Sequence, residues 1–164
     1  MNLIHRLGVP VPVQAAWFRN LARLGIHVHP RDAELVARFH GRRDLFESIR
    51  TMLSEDSHLA YVGHSKTRIT GEDQARTPEN PGIPPERWNR YRQLMREAGL
   101  FAVSHVGDSI TMRVSTCGSS CKGIVHSPAH RVVVSSLERY PLPPEQHAHL
   151  ILDEPWYVFY GWDS

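Results

Sequence analysis

The sequence predicts an α+β domain in which helices of the N-terminal half pack on one face of a mostly antiparallel sheet formed by the C-terminal half. Three observations lead there. Residues 100–162 read as short β-rich runs broken by turn signals: LFAVSHVGDSITMRVS, CGSSCKGIVHS, RVVVSS and HLILDEPWYVFYGW. The residues before them carry apolar side chains at helical spacing. Helix and strand patterns do not alternate as a βαβ sheet requires, so segregated helices and hairpins are the remaining architecture.

Each element follows from its own pattern. Val13, Ala16, Trp17, Leu21 and Leu24 fall on one helical face, and Gly25 is placed to end that helix. IHVH at 26–29 reads as a short strand or a connector. Pro30 stands where a helix begins, and Asp32 and Glu34 follow in the first turn, where negative charge is favourable. Leu35, Val36 and Phe39 form its apolar stripe, and Gly41 ends or bends it. From Arg43 the period resumes with Leu45, Phe46, Ile49, Met52 and Leu53. HLAYVGHSKTRIT, from His58 to Thr70, is the first strand.

The segment 71–84, GEDQARTPENPGIP, holds four charged residues, three Pro and two Gly, which predicts an exposed, mobile loop. Pro84 and Pro85 lead into a helix over 85–98, with Trp88, Tyr91, Met95 and Ala98 on its buried face and Gly99 as the stop. Arg87, Arg90, Arg92 and Arg96 occupy its outer face. Gly107-Asp108 and Asp153-Glu154-Pro155 sit between apolar runs as hairpin turns. The run Trp156 to Tyr160 places five large apolar residues together, so that strand is central or well covered, with alternate members in the core. Phe46, Ile49 and Leu53 join Trp88, Tyr91 and Met95 there. The whole reads as a single domain: a helical half at about 13–55, the loop, the helix, and a strand-rich half at 100–162.

Composition narrows the class. With 41% apolar and 22% charged residues in 164, the chain is of globular type and long enough to bury a core. A formal net charge of +2 demands no nucleic acid, and nucleic acid is not the expected partner. Of the 19 basic residues 17 are Arg, and only Lys66 and Lys122 are Lys. The start, MNLIHRLGVPVPVQAAWF, lacks the uninterrupted apolar centre of a signal peptide. No stretch reaches the roughly 18 apolar residues of a membrane span. The expectation is a cytoplasmic protein without membrane attachment, and two Cys fit a reducing compartment.

Chemistry-bearing residues concentrate around CGSSC at 117–121. Cys117, Cys121, His126 and His130 are four metal-binding side chains within 14 residues, the composition of a zinc site. Their spacing lacks the long span by which two ligand pairs converge, and KGIVH reads as a strand between the pairs. A Cys117–Cys121 disulfide is geometrically permitted if the two Cα atoms approach within about 7 Å. CGSSC also resembles the CGSC run of papain-like proteases, with an extra Ser, no following aromatic residue and a mid-chain position. Cys121-Lys122-Gly123-Ile124-Val125 with the downstream His149-Leu150-Ile151-Leu152 is similar to small bacterial cell-wall cysteine peptidases. That resemblance implies Cys121 as nucleophile and His149 as base, but the helix those enzymes place after the Cys is replaced here by β-branched residues and Pro128. The carboxylate pairs Glu55-Asp56 and Asp153-Glu154 sit at turns and read as solvated. No phosphate-cradling, dinucleotide or zincin motif is present, so no cofactor is expected.

The order of a helix, a strand and a loop, then ERWNRYRQLMREAGL, a two-strand hairpin, a KG-initiated strand, SLERY and a terminal WYVFYGW resembles small bacterial α+β proteins of the toxin-immunity type. It covers about residues 40–162. It implies a non-enzymatic module that binds a protein partner such as a toxin, and it names no site residue. From the residues themselves, Arg87 and Arg90 are the candidate partner contacts: the arginine row suits an acidic protein surface or RNA phosphates, or else is a solvated helix face partly balanced by Glu86 and Glu97. The alternative function is a small cysteine-dependent hydrolase or metal-binding enzyme built on Cys117, Cys121 and the nearby His residues.

Overall fold

The computed structural model describes residues 29–162 except 78, 118, 119, 130, 132 and 139–146. The helix expected over 13–24 lies outside them. Among the described residues are three helices, α1 (Asp32–Gly41), α2 (Arg43–Glu55) and α3 (Pro85–Ala98). Seven strands follow the chain: β1 (Leu59–Gly63), β2 (Thr67–Ile69), β3 (Ala102–Val106), β4 (Ser109–Cys117), β5 (Ser120–His126), β6 (His147–Asp153) and β7 (Trp156–Trp162). They form one sheet in the order β2-β1-β3-β4-β5-β7-β6, antiparallel at every pairing. The α+β architecture is therefore the observed one.

The helices pack on one face of the sheet. Cross-strand partners share a face, so the registers Val62↔Val103, Val103↔Met112, Met112↔Ile124, Ile124↔Val158 and His126↔Trp156 mark a single layer. Phe39, Phe46, Ile49, Leu53, Trp88, Tyr91 and Met95 close over it in one core cluster. Apolar periodicity sets which side of each helix faces in, and α3 stops where Gly99 adopts φ 70°, a conformation that suits a residue without Cβ. There the Leu100 amide donates to the Met95 carbonyl at 2.7 Å.

Four sequence readings need correction. The strand expected over His58–Thr70 is two strands, because the chain turns at 63–66, where the Gly63 amide donates to the Lys66 carbonyl at 2.8 Å. RVVVSS is not a strand: Val133 makes an isolated parallel bridge to His149, and the Val134 amide donates to the His149 carbonyl. The loop 71–84, mostly exposed as expected, is nevertheless anchored to the edge strand. Arg76 exchanges both backbone hydrogen bonds with Thr67, the Thr67 hydroxyl donates to the Pro81 carbonyl at 2.5 Å, and Pro81 and Ile83 are buried. The three-residue β2 has an outer edge that must be satisfied, and the loop returns to satisfy it. Finally, β7 buries consecutive rather than alternate residues. Trp156 and Val158 face the helices, whereas Tyr157 and Phe159 join Cys121 and Val125 in a cluster on the opposite face. With β5 on one side and β6 on the other, β7 is interior to the sheet, as its composition requires.

Candidate functional site

Helix α3 presents the largest group of arginines. Arg87 is turned away from the outer face. Its guanidinium donates to the Asp56 carboxylate at 2.8 Å and to Glu55 at 2.6 Å, and the Tyr91 hydroxyl donates to the same Asp56 oxygen at 2.8 Å. The hydrogen bond to Asp56, then that to Glu55, raises the Arg87 pKa further. Burial, then the Asp56 hydrogen bond, pushes the Tyr91 hydroxyl above its ordinary range. Asp56, 16% exposed, is thus a brace between α2 and α3 rather than a solvated turn residue, whereas Glu55 stays exposed, and Arg87 is committed to both.

Arg90, Arg92 and Arg96 remain outward. With Glu86, Asn89 and Gln93 they line a shallow concavity of about 540 Å³. Arg90 donates to the Gln93 side chain at 3.1 Å, and Gln93 in turn donates to Glu97 at 2.8 Å. Arg92 stacks over the Trp88 ring with its guanidinium carbon 5.1 Å from the centroid, which holds its charge at a fixed place. Among the described residues no carboxylate pairs with Arg90, Arg92 or Arg96. From α1 and the residue after it, Arg38 and Arg42 donate to the Gly99 and Glu97 carbonyls and so fix the C-terminal end of α3.

Among the described side chains, Cys121 and His126 do not converge. Cys121 lies 2% exposed on the face opposite the helices, whereas His126 lies on the helix face with its ring 5.0 Å from that of Trp156. Five residues apart on one strand, the two necessarily point to opposite sides. Cys117 is opposite Ser120 in the β4–β5 register, and His130 lies outside the described residues. Among the described residues no three His, Cys, Asp or Glu side chains are placed to hold a metal ion.

Cys121 and His149 do share a face, but β7 separates them. Cys121 is opposite Gly161, which is opposite His147, whereas His149 is opposite Phe159 and packs its ring 6.0 Å from Tyr157. Two strand spacings of about 10 Å combine with a two-residue offset of about 7 Å, too far for a nucleophile–base hydrogen bond. His147 is the histidine in register with Cys121. Its ring occupies the space over Gly161, where a Cβ would fall 2.1 Å from Nδ1, so a larger residue at 161 would require that ring to move.

Sequence reasoning missed a buried polar cluster on the helix face, at the end of β5. The His29 ring bridges two strands: Nδ1 lies 2.7 Å from the Ser115 hydroxyl and Nε2 2.9 Å from that of Ser120, with the Tyr160 ring 5.4 Å away. Lys122, with 5% of its side chain exposed, pairs with Asp32 at 2.7 Å and donates to the Pro30 carbonyl at 2.7 Å. Asp32 also accepts from the Leu137 amide at 2.8 Å and the Ser136 hydroxyl at 3.1 Å, while its own amide donates to Glu138 at 2.9 Å. Burial and then the charge of Lys122 hold the His29 imidazole down to about 4, so it is neutral near pH 7. Burial alone would push Asp32 up. The hydrogen bond and charge of Lys122, with the Leu137 and Ser136 donors, outweigh it and hold the carboxyl below its ordinary value.

Ser120, His29 and Ser115 stand in the relation of nucleophile, base and orienting group. Ser120, however, is 1% exposed within a strand paired on both sides, so no substrate reaches it. The cluster fastens residues 29–32 and the segment 136–138 to the sheet. Its sequence signal was Lys122: a lysine inside an apolar strand reading CKGIV must find a counter-charge, and Asp32 is that partner.

No protein-family model, curated protein or solved structure matches this chain.

Proposed function

We propose that the chain is a non-enzymatic protein-binding module that receives an acidic protein surface on the outer face of α3. The observation that carries this reading is the trio Arg90, Arg92 and Arg96, positively charged around one shallow concavity and without carboxylate partners among the described residues. An open, charged and slightly concave surface suits a protein better than a small molecule, which takes a deeper and more enclosed site. Arginine is enriched at the centres of protein interfaces, and a rigid guanidinium such as that of Arg92 over Trp88 loses little entropy on binding. The original pair of candidate contacts, Arg87 and Arg90, becomes Arg90 and Arg96, with Arg92 between them. On the resemblance to toxin-immunity proteins, the partner class in this reading is a toxin with an acidic active-site rim. The separation of Cys121 from His149 gives the cysteine-hydrolase alternative no support.

Charge reversal tests the proposal. Arg90 and Arg96 are exposed, so Arg90→Glu with Arg96→Glu should leave the thermal transition within a few degrees of the native protein. Affinity capture from the native host should retain a stoichiometric acidic protein that weakens as salt rises. The reversed variant should lose it by at least tenfold. Equal retention by both proteins, or retention indifferent to salt, rejects the α3 face.

A further inference from the structure

We propose that the His29 cluster is an acid-sensitive latch that holds residues 29–32 and the start of α1 against the sheet and lets them go on protonation. The geometry supports it independently of the binding role assigned to α3. Residues 29–32 contribute an imidazole, a carbonyl and a carboxylate to one polar knot whose other members come from β4, β5 and the segment 136–138. Among the described residues, the groups facing His29 are the Ser115 hydroxyl from β4, the Ser120 hydroxyl and Lys122 ammonium from β5, and the Tyr160 ring from β7. Asp32, the nearest carboxylate in the knot, is already engaged by Lys122, Leu137 and Ser136, and Glu138 accepts from the Asp32 amide. A proton on His29 therefore sets a second positive charge beside Lys122, with no carboxylate among the described residues left to receive it.

The direction follows from linkage. The imidazole binds its proton more weakly in the folded protein, near 4, than at its ordinary 6.5. The latch is fully closed above about pH 6.5 and loses stability as pH falls through the interval toward 4. Asp32 is held below its ordinary value and stays ionised over that interval, so its pairing with Lys122 does not supply the change. The rest of α1 keeps its apolar anchors, with Leu35 packed against Val158 and Ala148 and Phe39 against Trp156. The opening is local: residues 29–34 lift, and the Leu137 amide loses its acceptor when Asp32 moves with them.

Hydrogen exchange on the native protein at pH 7, 5.5 and 4.5, corrected for intrinsic rates, tests the latch. Protection of the amides of 34–37 and of Leu137 should fall more than tenfold relative to β7 between pH 7 and 4.5. His29→Gln keeps a neutral hydrogen-bonding side chain and removes the titration, so the selective loss should disappear. His126, whose pKa burial also lowers, is retained in that variant and serves as the internal control. Should the variant fail to fold, NMR titration of the native His29 imidazole decides alone: it must titrate well below its ordinary 6.5. Uniform loss of protection across α1 and β7, unchanged selectivity in His29→Gln, or a His29 titration near its ordinary 6.5 each overturns the latch.

Discussion

Asp32→Ala is expected to cost about 3–5 kcal/mol of folding stability, because it leaves the Lys122 ammonium buried without its counter-charge. The side chains are 5% and 12% exposed, so water does not replace the lost partner. The Leu137 amide and Ser136 hydroxyl lose their acceptor in the same substitution. Lys122→Met added to Asp32→Ala should recover a large part of the loss, since the double variant buries no charge. Urea unfolding of both singles and the double completes the cycle. Additive losses would show that the two groups are solvated separately.

Trp156→Ala is the second large effect, at about 3–5 kcal/mol. Trp156 is 1% exposed and sits where three elements meet: its ring lies 5.2 Å from that of Phe39 on α1, its indole N–H donates to Glu47 on α2 at 3.0 Å, and His126 on β5 packs edge-on. For a chain of this length the melting temperature should fall by roughly 10 °C. Trp156→Phe keeps most of the packing and drops the Glu47 bond, so its cost should be nearer 1–2 kcal/mol. A change in Trp156→Ala below about 1 kcal/mol would mean that the helices dock on the sheet without this contact.

Both substitutions mark the limit of what the chain discloses in one dimension. Trp156 belongs to a run whose composition announces burial, and periodicity places Phe46, Ile49, Leu53, Trp88, Tyr91 and Met95 in the core where they lie. Apolar burial depends on local period and is readable from it. The Lys122–Asp32 pair spans 90 residues and becomes visible only when the sheet is assembled. The same holds for Arg87. Its spacing on α3 groups it with Arg90, but an aspartate at the end of α2 takes it inward, and no pattern within α3 indicates that. Cys121 and His126 look like neighbours in the sequence, yet a strand of period two sends them to opposite faces. The short β2 escaped notice because its pairing is satisfied partly by the loop returning along it, a tertiary arrangement that propensity does not encode.

The strand order carries a consequence for how the sheet is built. Four of its six pairings join strands adjacent in the chain, and only β1–β3 and β5–β7 bring together strands with another strand between them. Two local units result, the β3–β4–β5 meander and the β6–β7 hairpin, each able to form over short loops before the long closures are made. Their union falls on β5, a strand whose first six residues are all buried. Until β7 arrives, that strand offers an unpaired backbone edge and apolar side chains on both faces, the features of an aggregation template. A chain interrupted after His126 would carry this edge permanently. β7, next to the sheet's margin, is thus the strand that covers the edge left by the preceding ninety-odd residues, roughly the span from α1 to β5.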